Sequence, residues 1–192
     1  MKSIQENEMN KVQSSITMTV LLISFSMLFG TLFMGYMVYR VRATVWPPMG
    51  MNDLSLLYPS ISTVMIVLSS VTYFLFEKQF RLEKTSTAKK LLLASLGLGL
   101  AFCASQFMVW SDLAFRGITQ GSGIFGSMIY GFTWIHVAHV AIGIALLAWL
   151  TFKVKNISTM EMKDTLRAKN VGMFWHFLGL VWLIMYLILF VF

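Results

Sequence analysis

Three side chains in this sequence are suited to hold a metal or move a proton from within apolar surroundings: His136, His139 and His176. The first two lie three residues apart in GSMIYGFTWIHVAHVAIG (126–143), and the third sits in MFWHFLGLVW (173–182). An imidazole can ligate haem iron, relay protons near neutral pH, or hydrogen-bond one helix to the next. A zinc signature is missing, because no second soft or carboxylate ligand accompanies the histidine pair. The sequence contains no Walker A motif, no GxGxxG, no Ser/His/Asp set and no acidic pair for acid–base work. Its single cysteine, Cys103, rules out an intrachain disulfide, a CxxC metal site and CxxCH haem attachment. It reads as a small buried hydrophobe.

The elements that must position these histidines follow from composition. The 192 residues are 57% hydrophobic and 12% charged, with 16 Phe, 15 Met and 6 Trp. A soluble domain carries about 25% charged residues, and a globule of this size cannot hide so much apolar surface. The surrounding solvent must be lipid. Apolar runs long enough for a bilayer, roughly 20 residues each, cover about 16–39, 58–80, 90–110, 127–152 and 171–192. Lipid offers no partner to open backbone groups, and the alternating polarity of a membrane barrel is absent, so the runs are helices. The expected fold is therefore all-α: a polar segment over 1–15, then one domain over 16–192, a bundle of five transmembrane helices. No soluble domain, internal repeat, low-complexity tract or cleaved signal peptide is expected.

The net charge of +7 is explained by position, with no need for nucleic acid as a partner. Lys2 and Lys11 precede the first span. Lys78, Arg81, Lys84, Lys89 and Lys90 follow the second, and Lys153, Lys155, Lys163, Arg167 and Lys169 follow the fourth. The opposite side receives only Arg40, Arg42 and Arg116. The positive-inside rule then places the N-terminus in the cytoplasm and Phe192 outside. Trp46, Tyr58 and Trp110 fall near the outer interface and Trp149 and Trp175 toward the inner one, as an aromatic belt requires. Pro47, Pro48 and Pro59 stop helices in and after the first outer loop.

Depth bears on the histidines. With that orientation His139 lies about 18 Å in from the outer edge, and His176 about 7–8 Å from the inner one, at the helical rise. In a core roughly 30 Å thick that leaves His139 about 12 Å from the inner edge, within one side chain's reach of His176 in height, as bis-histidine haem ligation between facing helices demands. A di-haem anchor would want four histidines, and there are three. Hydrogen bonding competes: span two supplies Ser60, Ser62, Thr63, Ser69 and Ser70, and span four supplies Thr133. Haem ligation, proton relay and helix packing all remain open on these grounds. Ser95 with Gly99, and Ala141 with Ala145, are small-residue pairs that admit a close neighbour. Trp175, Gly179, Trp182 and Tyr186 form an aromatic stripe with a notch, which suits a helix interface better than a cofactor box.

Several of these residues, in order, resemble subunit III of haem–copper terminal oxidases in its short five-helix bacterial form. The markers are WPP at Trp46–Pro48, Gln106 with Trp110, and Gly126–Ser127. They continue with Thr133, His136, His139, Val140 and Gly143, then Trp175, His176 and Phe177 with Val181 and Trp182. The resemblance implies a non-catalytic chain in a bacterial inner membrane, packed against subunit I beside subunit II. It would support proton uptake and oxygen access and carry structural phospholipid. Haem and copper belong to the partner subunits in that family, so the resemblance makes Thr133, His136, His139, Gly143, Trp175, His176 and Trp182 structural positions rather than ligands. The electron donor, cytochrome c or quinol, is set by other subunits. Three family carboxylates are replaced, by Ser24, Val109 and Gly179. Their loss points to one alternative, the subunit-III-like accessory protein of nitric oxide reductases; the His139–His176 depth match points to another, a haem-b membrane anchor.

Overall fold

The computed structural model describes residues 2–45, 56–155 and 162–191. The Trp46–Pro48 marker and Phe192 lie outside these residues. Five helices account for nearly everything described: α1 (Lys2–Arg42), α2 (Leu57–Arg81), α3 (Thr85–Phe115), α4 (Ile124–Lys155) and α5 (Met162–Tyr186). A π-helical turn, Leu187–Val191, continues α5. All five are long and apolar enough to cross a membrane. Among the described residues there is no strand.

The polar N-terminal segment is continuous with the first span. α1 runs unbroken for 41 residues, about 60 Å at the helical rise, twice a bilayer core. Many of the cations expected in loops sit instead on helix ends, such as Arg40 and Arg42 in the last turn of α1. Lys153 at the end of α4 and Arg167 near the start of α5 both approach the buried Asp164, at 3.8 and 3.2 Å. That carboxylate thus clips the α4–α5 corner.

α2 pairs along α3, α4 lies against α3 and α5, and α5 also touches α1 and α2. α5 is the hub: half of its most apolar window is buried, against 6% for α1. α1 contributes a single aromatic edge. Phe25 and Phe29 meet the ring of His139, Phe33 stacks on Phe132 of α4, and Tyr36 donates to the carbonyl of Ile188 at 3.2 Å. That carbonyl lies in the π-helical turn, where the ordinary ladder of the helix is interrupted. The remainder of α1 displays Val20, Ile23, Met27, Met34 and Val38, all exposed, as a lipid-facing or partner-facing helix does.

Candidate functional site: a polar seam inside the bundle

The aromatic stripe of α5 and the hydroxyls of α2 interlock residue by residue. Trp175 Nε1 donates to Ser69 Oγ at 3.1 Å, and Trp182 Nε1 donates to Thr63 Oγ1 at 3.0 Å. Tyr186 shares a 2.8 Å hydroxyl pair with Ser60, and His176 Nδ1 stands 2.5 Å from Ser70 Oγ. Gly179, the notch, lets Ile66 approach to ordinary van der Waals distance. On its other side α2 is fastened to α3 by Ser62–Ser105 at 2.7 Å and by Ser69–Ser95, where each hydroxyl also reaches the other residue's carbonyl. Every indole N–H and hydroxyl in this seam has a partner, which a lipid-embedded bundle requires.

Glycines set the spacing. A β-carbon on Gly99 would stand 2.8 Å from Trp175 Cη2, and one on Gly143 would stand 3.0 Å from Trp175 Cε3 and 2.9 Å from Leu178 Cδ1. The fully buried indole is therefore wedged between α3 and α4 while its nitrogen bonds α2. Of the two small-residue pairs, Ser95 and Gly99 do admit neighbours. Ala141 and Ala145 do not: both are exposed, on the side of α4 away from Gly143, with no described helix covering them. Small side chains mark where a helix can approach, but the covering helix must come from somewhere.

The histidines part company. His136 is completely buried, stacked on Trp182 with ring centroids 5.6 Å apart, and flanked edge-on by Phe29 and Phe102. Thr133, one turn earlier, takes a 3.0 Å bond from Trp110 Nε1 and is not a partner of either imidazole. His139 is half-buried and faces α1, its Nδ1 2.7 Å from the carbonyl of Ile135. A carbonyl only accepts, so that nitrogen carries the hydrogen. His176 faces α2, against Ser70 and Tyr73. His139 and His176 address different helices, so closeness in depth does not make them a facing pair. Among the described residues no three His, Cys, Asp or Glu side chains gather as a metal site.

At the three positions where the resemblance would place a carboxylate, the environments differ. Ser24 is exposed on α1 and bonds its own helix at Val20 O, 3.0 Å away. Val109 is 2% exposed inside the bundle, and Gly179 is the buried notch of α5. Several contributors were not singled out from sequence. Tyr73 donates to Ala168 O at 2.8 Å, and Tyr130 donates to Ile118 O at 3.1 Å. Gly172 makes room for Tyr73 and the Glu77 carboxylate, both of which an added β-carbon would strike. A tyrosine in an apolar run signals that its hydroxyl needs an acceptor, but backbone carbonyls leave no trace in sequence.

Comparison with known proteins covers the whole bundle. A family model described as cytochrome c oxidase subunit III matches residues 2–192. The chain is 24% identical over 169 residues to cytochrome c oxidase subunit 3 of Synechocystis sp., spanning 88% of this chain and 71% of the relative. It is 25% identical to the subunit 3 of Thermostichus vulcanus, over 90% of this chain and 84% of that one. It is also 28% identical to the cytochrome bo(3) ubiquinol oxidase subunit 3 of Pseudomonas aeruginosa, over 85% and 77%.

Proposed function

Because this chain belongs to the cytochrome c oxidase subunit III family, we propose that it is the non-catalytic subunit III of a haem–copper oxygen reductase, seated against subunit I in a bacterial inner membrane. The N-terminus then faces the cytoplasm, with the cation-rich corners after α2 and α4 beside it. The family match along the full bundle carries this reading. The seam supports it, since Trp175, Trp182, His139 and His176 are spent on contacts within the chain. The exposed alanines of α4 offer a smooth surface to a partner helix, consistent with a chain that works inside an assembly.

Support for proton uptake and oxygen access belongs to the same reading, as does bound structural phospholipid. A groove of about 590 Å³ opens between α1, α4 and α5, lined by Thr17, Met18, Phe25, Ile142, Leu146 and Phe174. Ser14 and Asn170, bonded to each other at 2.7 Å, close its polar end. An acyl chain below a hydrated headgroup suits that gradient.

Affinity purification of the tagged chain from mildly solubilised membranes tests the assignment. Subunit I should co-elute with haem and copper. Recovery of the chain apart from any haem–copper subunit would sink it, and a partner containing iron without copper would transfer the role to a nitric oxide reductase.

A further inference from the structure

We propose that Gln106 and His136 hold at least one ordered water molecule between α3 and α4. Both side chains are 0% exposed. All four of their polar atoms, Gln106 Oε1 and Nε2 with His136 Nδ1 and Nε2, lack a partner within the protein. The two residues lie on neighbouring helices of an antiparallel pair, on the faces that meet. One turn beyond Gln106, Trp110 bonds Thr133 at 3.0 Å; one turn before it, the Phe102 ring meets His136 at 6.1 Å. Gln106 lies between those two contacts on α3, and on α4 they span the turn from Thr133 to His136.

The donor set fits water. An amide offers two hydrogens and an accepting oxygen, and a neutral imidazole offers one hydrogen and one lone pair. A water accepts from the amide N–H and donates to the bare ring nitrogen, with hydrogens and lone pairs to spare for the other two atoms. Nearby hydroxyls are committed: Thr133 to the carbonyls of Ile129 and Tyr130, and Ser105 to Ser62 and Phe102 O. Complete burial leaves no entrance for an organic ligand or a partner side chain. At membrane depth an unmet polar atom has no bulk solvent to turn to, so an internal water is the satisfying group. Stacking on Trp182 fixes the imidazole plane and hence the direction in which that water must lie. This inference stands whichever respiratory complex holds the chain.

Cryo-electron microscopy of the intact purified complex, at a resolution that shows ordered solvent, tests it. The expected result is a solvent peak within about 2.7–3.2 Å of both the Gln106 amide and an imidazole nitrogen of His136. That peak should be lost in His136→Phe, or in Gln106→Met if the first variant does not assemble. A direct Gln106–His136 hydrogen bond with no peak between them overturns the proposal, as does a peak that survives the variant, or density that shows neither.

Discussion

Gly99 and Trp175 touch so closely that a β-carbon at residue 99 would stand 2.8 Å from the indole Cη2. The ring cannot yield, because Gly143 confines its other edge and Ser69 holds its nitrogen. Gly99→Ala should therefore cost about 1–3 kcal/mol through overpacking. Gly97→Ala, two residues away with nothing within 4 Å of the new carbon, should instead stabilise by about 0.5–1 kcal/mol through helix propensity. Thermal unfolding of the two purified variants in detergent should show shifts of opposite sign; equal shifts would mean the indole is not wedged as described.

The α2–α5 seam makes a second expectation quantitative. Trp182→Phe and Thr63→Val each break the 3.0 Å bond between those residues. In a double-mutant cycle the pair should show a coupling of about 0.6 kcal/mol, and no more than about 1.7, the range for hydrogen bonds between membrane helices. Zero coupling would reduce the seam to simple packing.

How much of this seam is legible in sequence depends on geometry along or around a helix. Spacing along the chain is enough to place Trp175, Gly179, Trp182 and Tyr186 on one face and to match Ser60, Thr63, Ser69 and Ser70 with something polar. Depth is likewise countable, residue by residue, which is why His139 and His176 could be placed within one side chain's reach in height. The azimuth is not countable. Whether His139 faces α1 and His176 faces α2 depends on the order in which helices pack, a long-range property that no local pattern encodes. The same gap explains Ala141 and Ala145, whose small side chains mark a possible approach without saying which face of the bundle they lie on.

Replacing the two histidines of the opening motif separates structure from redox chemistry. His136 fills the space between Phe29, Phe102 and Trp182, so His136→Ala leaves a cavity and should destabilise by about 2–5 kcal/mol, the range for large-to-small changes in cores. His139 is half-buried beside Phe25 and Phe29, so His139→Ala should cost less. Both should lower the yield of assembled complex while leaving the haem absorption bands per subunit I unchanged. A haem band that disappears at constant subunit content would assign the imidazole to iron after all.

Val109 tests whether the bundle tolerates a carboxylate where the resemblance would place one. It is 2% exposed and enclosed by this chain's own helices, so an acid there is cut off from bulk water. Val109→Asp should cost more than the about 1–3 kcal/mol of burying an unpaired neutral polar group, because the buried group is a carboxyl. The expected readout is reduced membrane accumulation even when no other oxidase subunit is present. Val109→Asn, nearly the same shape without the charge, should fall between wild type and Val109→Asp, because an amide still needs hydrogen bonds but carries no ionic desolvation cost. If Val109→Asp accumulates like wild type, the interior near residue 109 already holds water or a proton donor, and a carboxylate could be restored there without rebuilding the bundle.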